Sequence, residues 1–215
     1  MLRLNKLNTM ASCLFFGDSI TFGEYDGISG GWVDILKRWS YTKYNDHSAR
    51  ELNIFNLGIG GETTDGLVKR FPVEAEARKS PDANLIFFAY GANDLVELDG
   101  TLLVPVSQYI NNLQLVISRA KLVTDEIFII SILPVATAAD GIRTATGKIR
   151  TNQRVGEYNT ALKELAAYTS VAFVDIYSLF FSKKDQLISP DGVHPNTKGY
   201  QFISEQIRPL LEPYL

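Results

Sequence analysis

A single cysteine, Cys13, stands in the 215 residues, so no disulfide can close within the chain. It lies in an apolar run, where a lone thiol behaves as a small buried residue. That usage fits a reducing compartment, and a cytoplasmic location is expected. Histidine is nearly as scarce: there are two, His47 and His194. Any imidazole-dependent chemistry must therefore fall on one of them. No apolar run approaches the roughly 20 residues needed to cross a bilayer, so no membrane span is expected. The apolar stretch after Met10 is broken at Gly17-Asp18, too early for a secretory signal. Residues 1–10 read as a loosely attached N-terminal extension, with Met10 an alternative start. A basic excess is also missing. Lys plus Arg number 21 against 24 Asp plus Glu, a net charge of −3. Without a basic block, nucleic acid is not an expected partner. Repeats and low-complexity linkers are absent too, and one domain over residues 1–215 is the simplest organisation.

What is present is an alternation. Short runs rich in β-branched and aromatic residues cover Ala11–Phe16, Asn53–Leu57, Asn84–Tyr90, Glu126–Leu133 and Val171–Ile176. They are nearly continuous in apolar character, as strands covered on both faces must be. Between them lie helical patterns at about Trp32–Tyr41, Thr64–Arg78, Ser107–Val123 and Asn152–Tyr168, with a last one at Thr197–Leu211. Five strands alternating with helices predict an α/β fold, a three-layer α/β/α sandwich around a five-stranded parallel sheet. The stretch Ala136–Arg150, rich in Ala, Thr and Gly, reads as a loop over one edge of the sheet, either a lid or a variable insertion.

In open parallel sheets ligands bind beyond the C-terminal ends of the strands. Four glycine-containing polar segments fall there: Gly17-Asp18-Ser19-Ile20-Thr21, Gly58-Ile59-Gly60-Gly61-Glu62-Thr63, Gly91-Ala92-Asn93-Asp94 and Asp191-Gly192-Val193-His194-Pro195. Acyl transfer requires a nucleophile, a base, a group that orients the base, and donors for the developing oxyanion. Ser19 is the candidate nucleophile. His194 is the candidate base, since His47 lies in a polar stretch that reads as surface. Asp191 precedes His194 by three residues, a spacing that can set its carboxylate on the imidazole Nδ1–H. The backbone N–H groups of Ser19 and Gly61 and the side-chain amide of Asn93 are the candidate oxyanion donors. Asp18 is a turn and cap residue beside the nucleophile, and Asp94 is expected to brace the Asn93 loop. An imidazole base works only when neutral, so hydrolysis is expected to rise with pH as it deprotonates. Phe22, Tyr25, Trp32 and Tyr90 are candidates either for an acyl pocket or for packing.

Each segment alone has a bland explanation as a turn or a helix cap. Four of them at one rim, each supplying a different catalytic part, do not share one. In order and spacing they resemble the SGNH, or GDSL-type, hydrolases from Phe15 to about Phe202. Gly17-Asp18-Ser19-Ile20 is similar to the first family block, with Ile where the name has Leu. Gly61, Gly91-Ala92-Asn93-Asp94 and Asp191-Gly192-Val193-His194 are similar to the second, third and fifth. The resemblance implies a flavodoxin-like sandwich, a Ser19-His194-Asp191 triad, and an oxyanion hole of Ser19, Gly61 and Asn93. Gly30-Gly31-Trp32 and Phe88–Asp94 further resemble the branch of esterases that hydrolyse isoamyl acetate.

The expected substrate is thus a small-molecule ester. The same triad would serve a carbohydrate O-deacetylase, a thioesterase or a lysophospholipase. A non-catalytic flavodoxin-like binding protein would explain the loops but not the pairing of Asp191 with His194. The α/β-hydrolase elbow G-x-S-x-G is excluded, because Thr21 holds its last position. Gly58-Ile59-Gly60-Gly61 lacks the G-x-G-x-x-G spacing of a dinucleotide loop, so no cofactor is expected. Asp18, Asp94, Asp191 and His194 contain no recognised metal-ligand pair, and no metal is expected either.

Overall fold

The computed structural model describes residues 10–215, so the expected loose extension falls, but for Met10, outside the described residues. The chain opens with β1 (Ala11–Gly17), buried at every position. A single turn, α1 (Ser19–Phe22), and α2 (Trp32–Asn45) lead to β2 (Leu52–Gly58). Next come α3 (Thr64–Arg78) and β3 (Ala83–Ala89). Two short strands, β4 (Glu97–Leu98) and β5 (Thr101–Leu102), precede α4 (Val106–Ala120) and β6 (Ile127–Ile130). After β7 (Lys148–Ile149) come α5 (Asn152–Thr169) and β8 (Ala172–Val174). The short helices α6 (Ile176–Phe181) and α7 (Lys184–Leu187) lead to α8 (Thr197–Leu211).

The main sheet is parallel, with spatial order β2-β1-β3-β6-β8. This is the doubly wound order in which the chain leaves β1 first to one side and then to the other. The crevice beyond the end of β1 is the topological switch point, where such sheets bind ligands. Register places the ends of three strands level there, since Gly17 pairs with Gly58 on one side and Ala89 on the other.

Strand alternation divides the core. Leu14, Phe16, Ile86, Phe88, Ile127 and Ile129 face one layer, made by α3, α4 and α5. Cys13, Phe15, Leu85, Phe87, Phe128 and Ile130 face the other, made chiefly by α2 and α8. In that second layer an aromatic row crosses three strands in register: Phe15 stacks on Phe87 at 4.5 Å, and Phe87 on Phe128 at 4.4 Å. Trp32 meets Phe15 edge-on at 5.0 Å. Phe87 is fully buried at the centre of the row. Phe87→Ala is expected to lower unfolding free energy by about 3–5 kcal/mol, measured by urea denaturation, because it opens a cavity between Phe15 and Phe128.

The five expected strands are present, with two trimmed. The last apolar run stops at Val174, because the Asp175 carboxylate accepts the Ser178 amide at 2.9 Å and turns the chain into α6. The stretch Ala136–Arg150 is more ordered than a simple loop. It contains β7, which pairs antiparallel with β4 in a small second sheet of order β5-β4-β7. It is also tied down at both ends. The Ala136 amide donates to the Gly192 carbonyl at 2.9 Å, and the Gly141 amide to the Arg150 carbonyl at 2.8 Å.

Candidate active site

At the end of β1 the chain turns through Asp18, whose carboxylate accepts the Ile20 amide at 2.9 Å and starts α1 on Ser19. Ser19 is 6% exposed, at the bottom of a cleft. Its Oγ lies 2.8 Å from His194 Nε2. His194 Nδ1 in turn lies 2.5 Å from Asp191 Oδ2. An ionised carboxylate only accepts, so Nδ1 carries the hydrogen and Nε2 offers its lone pair to the serine hydroxyl.

The carboxylate is itself held. Asp191 Oδ1 accepts from the Val193 amide at 2.9 Å, the His194 amide at 3.0 Å and the Ser189 hydroxyl at 2.7 Å. The turn that allows this needs Gly192, which adopts φ 78 and packs so closely on Ala139 that a Cβ would collide with it. Partial burial works to raise the Asp191 pKa. The hydrogen bonds from His194, Val193 and Ser189 outweigh it and hold the carboxyl well below the ordinary range.

The other two rim segments meet beside Ser19. Gly61 has φ 74, and a Cβ there would project into open space. Asn93 is 6% exposed and donates through Nδ2 to the Glu62 carbonyl at 3.1 Å. Below them lies an ion pair that the sequence did not announce. Arg70 Nε reaches both Glu62 oxygens, at 3.0 and 2.8 Å. The Tyr90 hydroxyl donates to Glu62 Oε2 at 2.6 Å and accepts from Arg70 Nη2 at 2.7 Å. The same Nη2 caps the Leu57 carbonyl at 2.6 Å, so one guanidinium ties the end of β2 to the Glu62 turn and the residue after β3.

Asp18 and Asp94 are 2% and 0% exposed. Asp94 Oδ1 accepts the Thr64 amide at 2.9 Å and its hydroxyl at 2.5 Å, joining the Asn93 loop to the start of α3. Burial pushes the Asp94 carboxyl up to about 6 against those hydrogen bonds, and pushes Asp18 up to about 7 against the Ile20 amide.

 The Asp18 carboxyl thus keeps its proton through mildly acid conditions and loses it only around pH 7, where an unfolded aspartate is already ionised. Because the native state then holds a proton that the unfolded chain does not, this group makes stability fall as pH rises from about 4 to about 7. Asp18→Asn keeps the acceptor for Ile20 and removes the titration. Its stability relative to wild type is expected to improve by about 2–3 kcal/mol between pH 5 and pH 8, read from urea unfolding at both values.

The cleft over Ser19 has a volume of about 440 Å³. Besides the residues already named, Glu24, Tyr25, Lys148 and Arg150 border it. Glu24 Oε2 lies 3.9 Å from His194 Nε2, and the Tyr25 ring meets the imidazole edge-on at 4.9 Å. Of the four aromatic candidates, Tyr25 reaches the site and Phe22 borders an adjoining depression. Trp32 and Tyr90 are packing residues, 1% and 3% exposed. A larger groove of about 860 Å³ opens beside the cleft, walled by the 136–150 stretch and the His194 segment. Thr144, Arg150, Asp191 and Val193 border both. His47 is on the surface, away from this rim. Among the described residues, no three His, Cys, Asp or Glu side chains are grouped to hold a metal, and no helix is long and apolar enough to cross a membrane.

Arg150, Glu24 and Lys148 were not singled out in the sequence. Arg150 and Lys148 carried no signal, because only the pairing of β7 with β4 brings them to the rim.

A doubly wound sheet with a serine, an imidazole and a carboxylate in line at its switch point has the build of an α/β/α hydrolase. The chain belongs to the GDSL-like lipase/acylhydrolase family, whose profile it matches over residues 15–202. It is 28% identical over 212 residues to the bovine protein named isoamyl acetate-hydrolyzing esterase 1 homolog, covering 93% of this chain and 80% of that one. The human protein of the same name is also 28% identical, over 211 residues. Among solved structures, a lipase/acylhydrolase from Enterococcus faecalis superposes with a TM-score of 0.72 at 25% identity, covering 95% of this chain and 96% of that one. An acetylxylan esterase from Geobacillus stearothermophilus shares the fold, with a TM-score of 0.71 at 20% identity over 94% of this chain and 95% of that one.

Proposed function

We propose that the protein hydrolyses carboxylic esters through an acyl-enzyme on Ser19. The observation that carries this reading is the continuous line from Ser19 Oγ through the His194 ring to Asp191, with contacts of 2.8 and 2.5 Å. Ser19 Oγ attacks the ester carbonyl carbon while its proton passes to His194 Nε2. The carbonyl oxygen becomes an oxyanion and takes hydrogen bonds from the Ser19 and Gly61 amides and from Asn93 Nδ2. The carbon–oxygen bond to the alcohol breaks as Nε2 returns the proton to the departing oxygen. Water, giving a proton to the same imidazole, then attacks the acyl carbon, and as the bond to Ser19 Oγ breaks Nε2 returns that proton to Oγ, releasing the acid and free Ser19. Asp191 remains a carboxylate throughout, orienting the ring and stabilising the imidazolium.

The bovine and human relatives are named for isoamyl acetate, an ester of a two-carbon acid. A short-acyl ester is accordingly the substrate class proposed for this chain. The test pairs two measurements. Treatment with a fluorophosphonate, read by intact mass, is expected to add one adduct, mapping to the peptide that contains Ser19. Hydrolysis of p-nitrophenyl acetate is expected to exceed that of the octanoate in kcat/KM. A folded protein that takes no adduct, or takes it elsewhere, would refute the nucleophile. Preference for octanoate would leave the mechanism standing and overturn the substrate class.

A further inference from the structure

We infer that Arg150 is a positioning residue for the oxyanion site, holding the Asn93 side-chain amide with its oxygen turned away from the reacting carbonyl. The inference rests on the proposed role of Asn93 as an oxyanion donor.

An asparagine amide has two orientations of almost the same shape, and only its partners choose between them. Asn93 is gripped at both ends. Arg150 Nη2 donates to Asn93 Oδ1 at 3.1 Å, and Asn93 Nδ2 donates to the Glu62 carbonyl at 3.1 Å. A guanidinium has donors and no acceptor. The flipped amide would therefore set NH₂ against the guanidinium and oxygen against the Glu62 carbonyl, and would present an oxygen to the developing oxyanion. In the orientation observed, one Nδ2 hydrogen serves Glu62 and the second is available to substrate.

The guanidinium is itself placed with care for direction. Its Nε donates to the Ala92 carbonyl at 2.8 Å, so two adjacent residues of the Asn93 loop are read by one rigid fork. Arg150 follows β7, which pairs with β4 through Leu98 to Lys148 and Glu97 to Ile149. Arg154 reinforces that joint, with Nη2 2.8 Å from Glu97 Oε2 and Nη1 3.2 Å from the Leu95 carbonyl. The small sheet thus fixes the base of Arg150 relative to the loop on which it acts. Arg150 also borders the cleft beside Ser19 and Gly61. Its positive charge faces the oxyanion region too, so a purely electrostatic role predicts a different outcome below.

A double-mutant cycle in kcat on p-nitrophenyl acetate separates these cases. Asn93→Ala is expected to lower kcat by about 10²–10³. Arg150→Met is expected to lower it by about 10–100-fold, with KM changed less than about threefold, since a misdirected donor is felt in the transition state. In the Asn93→Ala background, Arg150→Met should then cost less than about threefold, because nothing is left for it to orient. Arg150→Lys, which keeps the charge without the fork, should behave as Arg150→Met does. Circular dichroism and thermal unfolding of each variant establish that the fold is retained, and should Arg150→Met not fold, Arg150→Lys carries the cycle.

Equal losses from the Arg150 substitution in both backgrounds would overturn the inference, as would an Arg150→Lys variant of wild-type rate, which marks charge alone. If Asn93→Ala itself keeps the wild-type kcat, the oxyanion reading of Asn93 fails and the role of Arg150 falls with it.

Discussion

Ser19→Ala is expected to reduce kcat on p-nitrophenyl acetate by up to about 10⁶ while leaving the protein folded. The substitution removes one oxygen. It leaves the Asp18 contact to the Ile20 amide, which positions the start of α1, untouched. It also leaves the Gly61 and Asn93 loops in place, since those are held by Glu62, Arg70 and Asp94 rather than by the serine. Whatever rate survives measures what the oxyanion donors achieve with water alone, about 10³–10⁴ over the uncatalysed reaction. Steady-state kinetics together with a thermal melt provide the check. A folded variant that hydrolyses at the wild-type rate would remove Ser19 from the mechanism.

The second large effect is expected at Asp191. Asp191→Asn should lower kcat by about 10⁴ with little change in KM. The variant can keep an oxygen for the Val193 and His194 amides that Oδ1 now serves. The opposite end, which faces His194 Nδ1, then becomes an NH₂ group. Two donors cannot share that contact, so the ring proton is driven to Nε2 and Ser19 faces an N–H where it needs a lone pair. Nitrogen NMR of the imidazole reads the tautomer directly, and a variant that keeps the hydrogen on Nδ1 at full rate would contradict the orienting role. In the wild type the carboxyl is held well below its ordinary range, so it remains ionised through mildly acid conditions. The sign follows from linkage. Its contribution to stability is present above the unfolded carboxyl range and is lost only as pH falls through the depressed native value.

Much of this site could be read before the fold was known. Ser19, Gly61 and Asn93 sit in short segments just beyond the ends of β1, β2 and β3, which parallel pairing brings to one rim, while Asp191 and His194 lie in the turn between α7 and α8. The strands were legible because both faces are covered, which leaves continuous apolar runs. What escaped were the arginine contacts that tie one segment to another. Arg70 is an ordinary helical arginine in sequence, yet it caps the Leu57 carbonyl and pairs with Glu62 and Tyr90. Arg150 closed a stretch that read as a loop, because β4 and β7 are two residues each and too short to show a period. Trp32 and Tyr90 carried an aromatic signal that fits an acyl pocket and a core equally well, and only burial separates the two.

The contact between Ser19 and His194 spans 175 positions of chain. During synthesis the segments that carry Ser19, Gly61 and Asn93 emerge before the one that carries His194. On the proposed mechanism, full activity therefore begins only when the two ends of the fold have met. On that mechanism the return of activity during refolding is expected to report closure of the whole molecule.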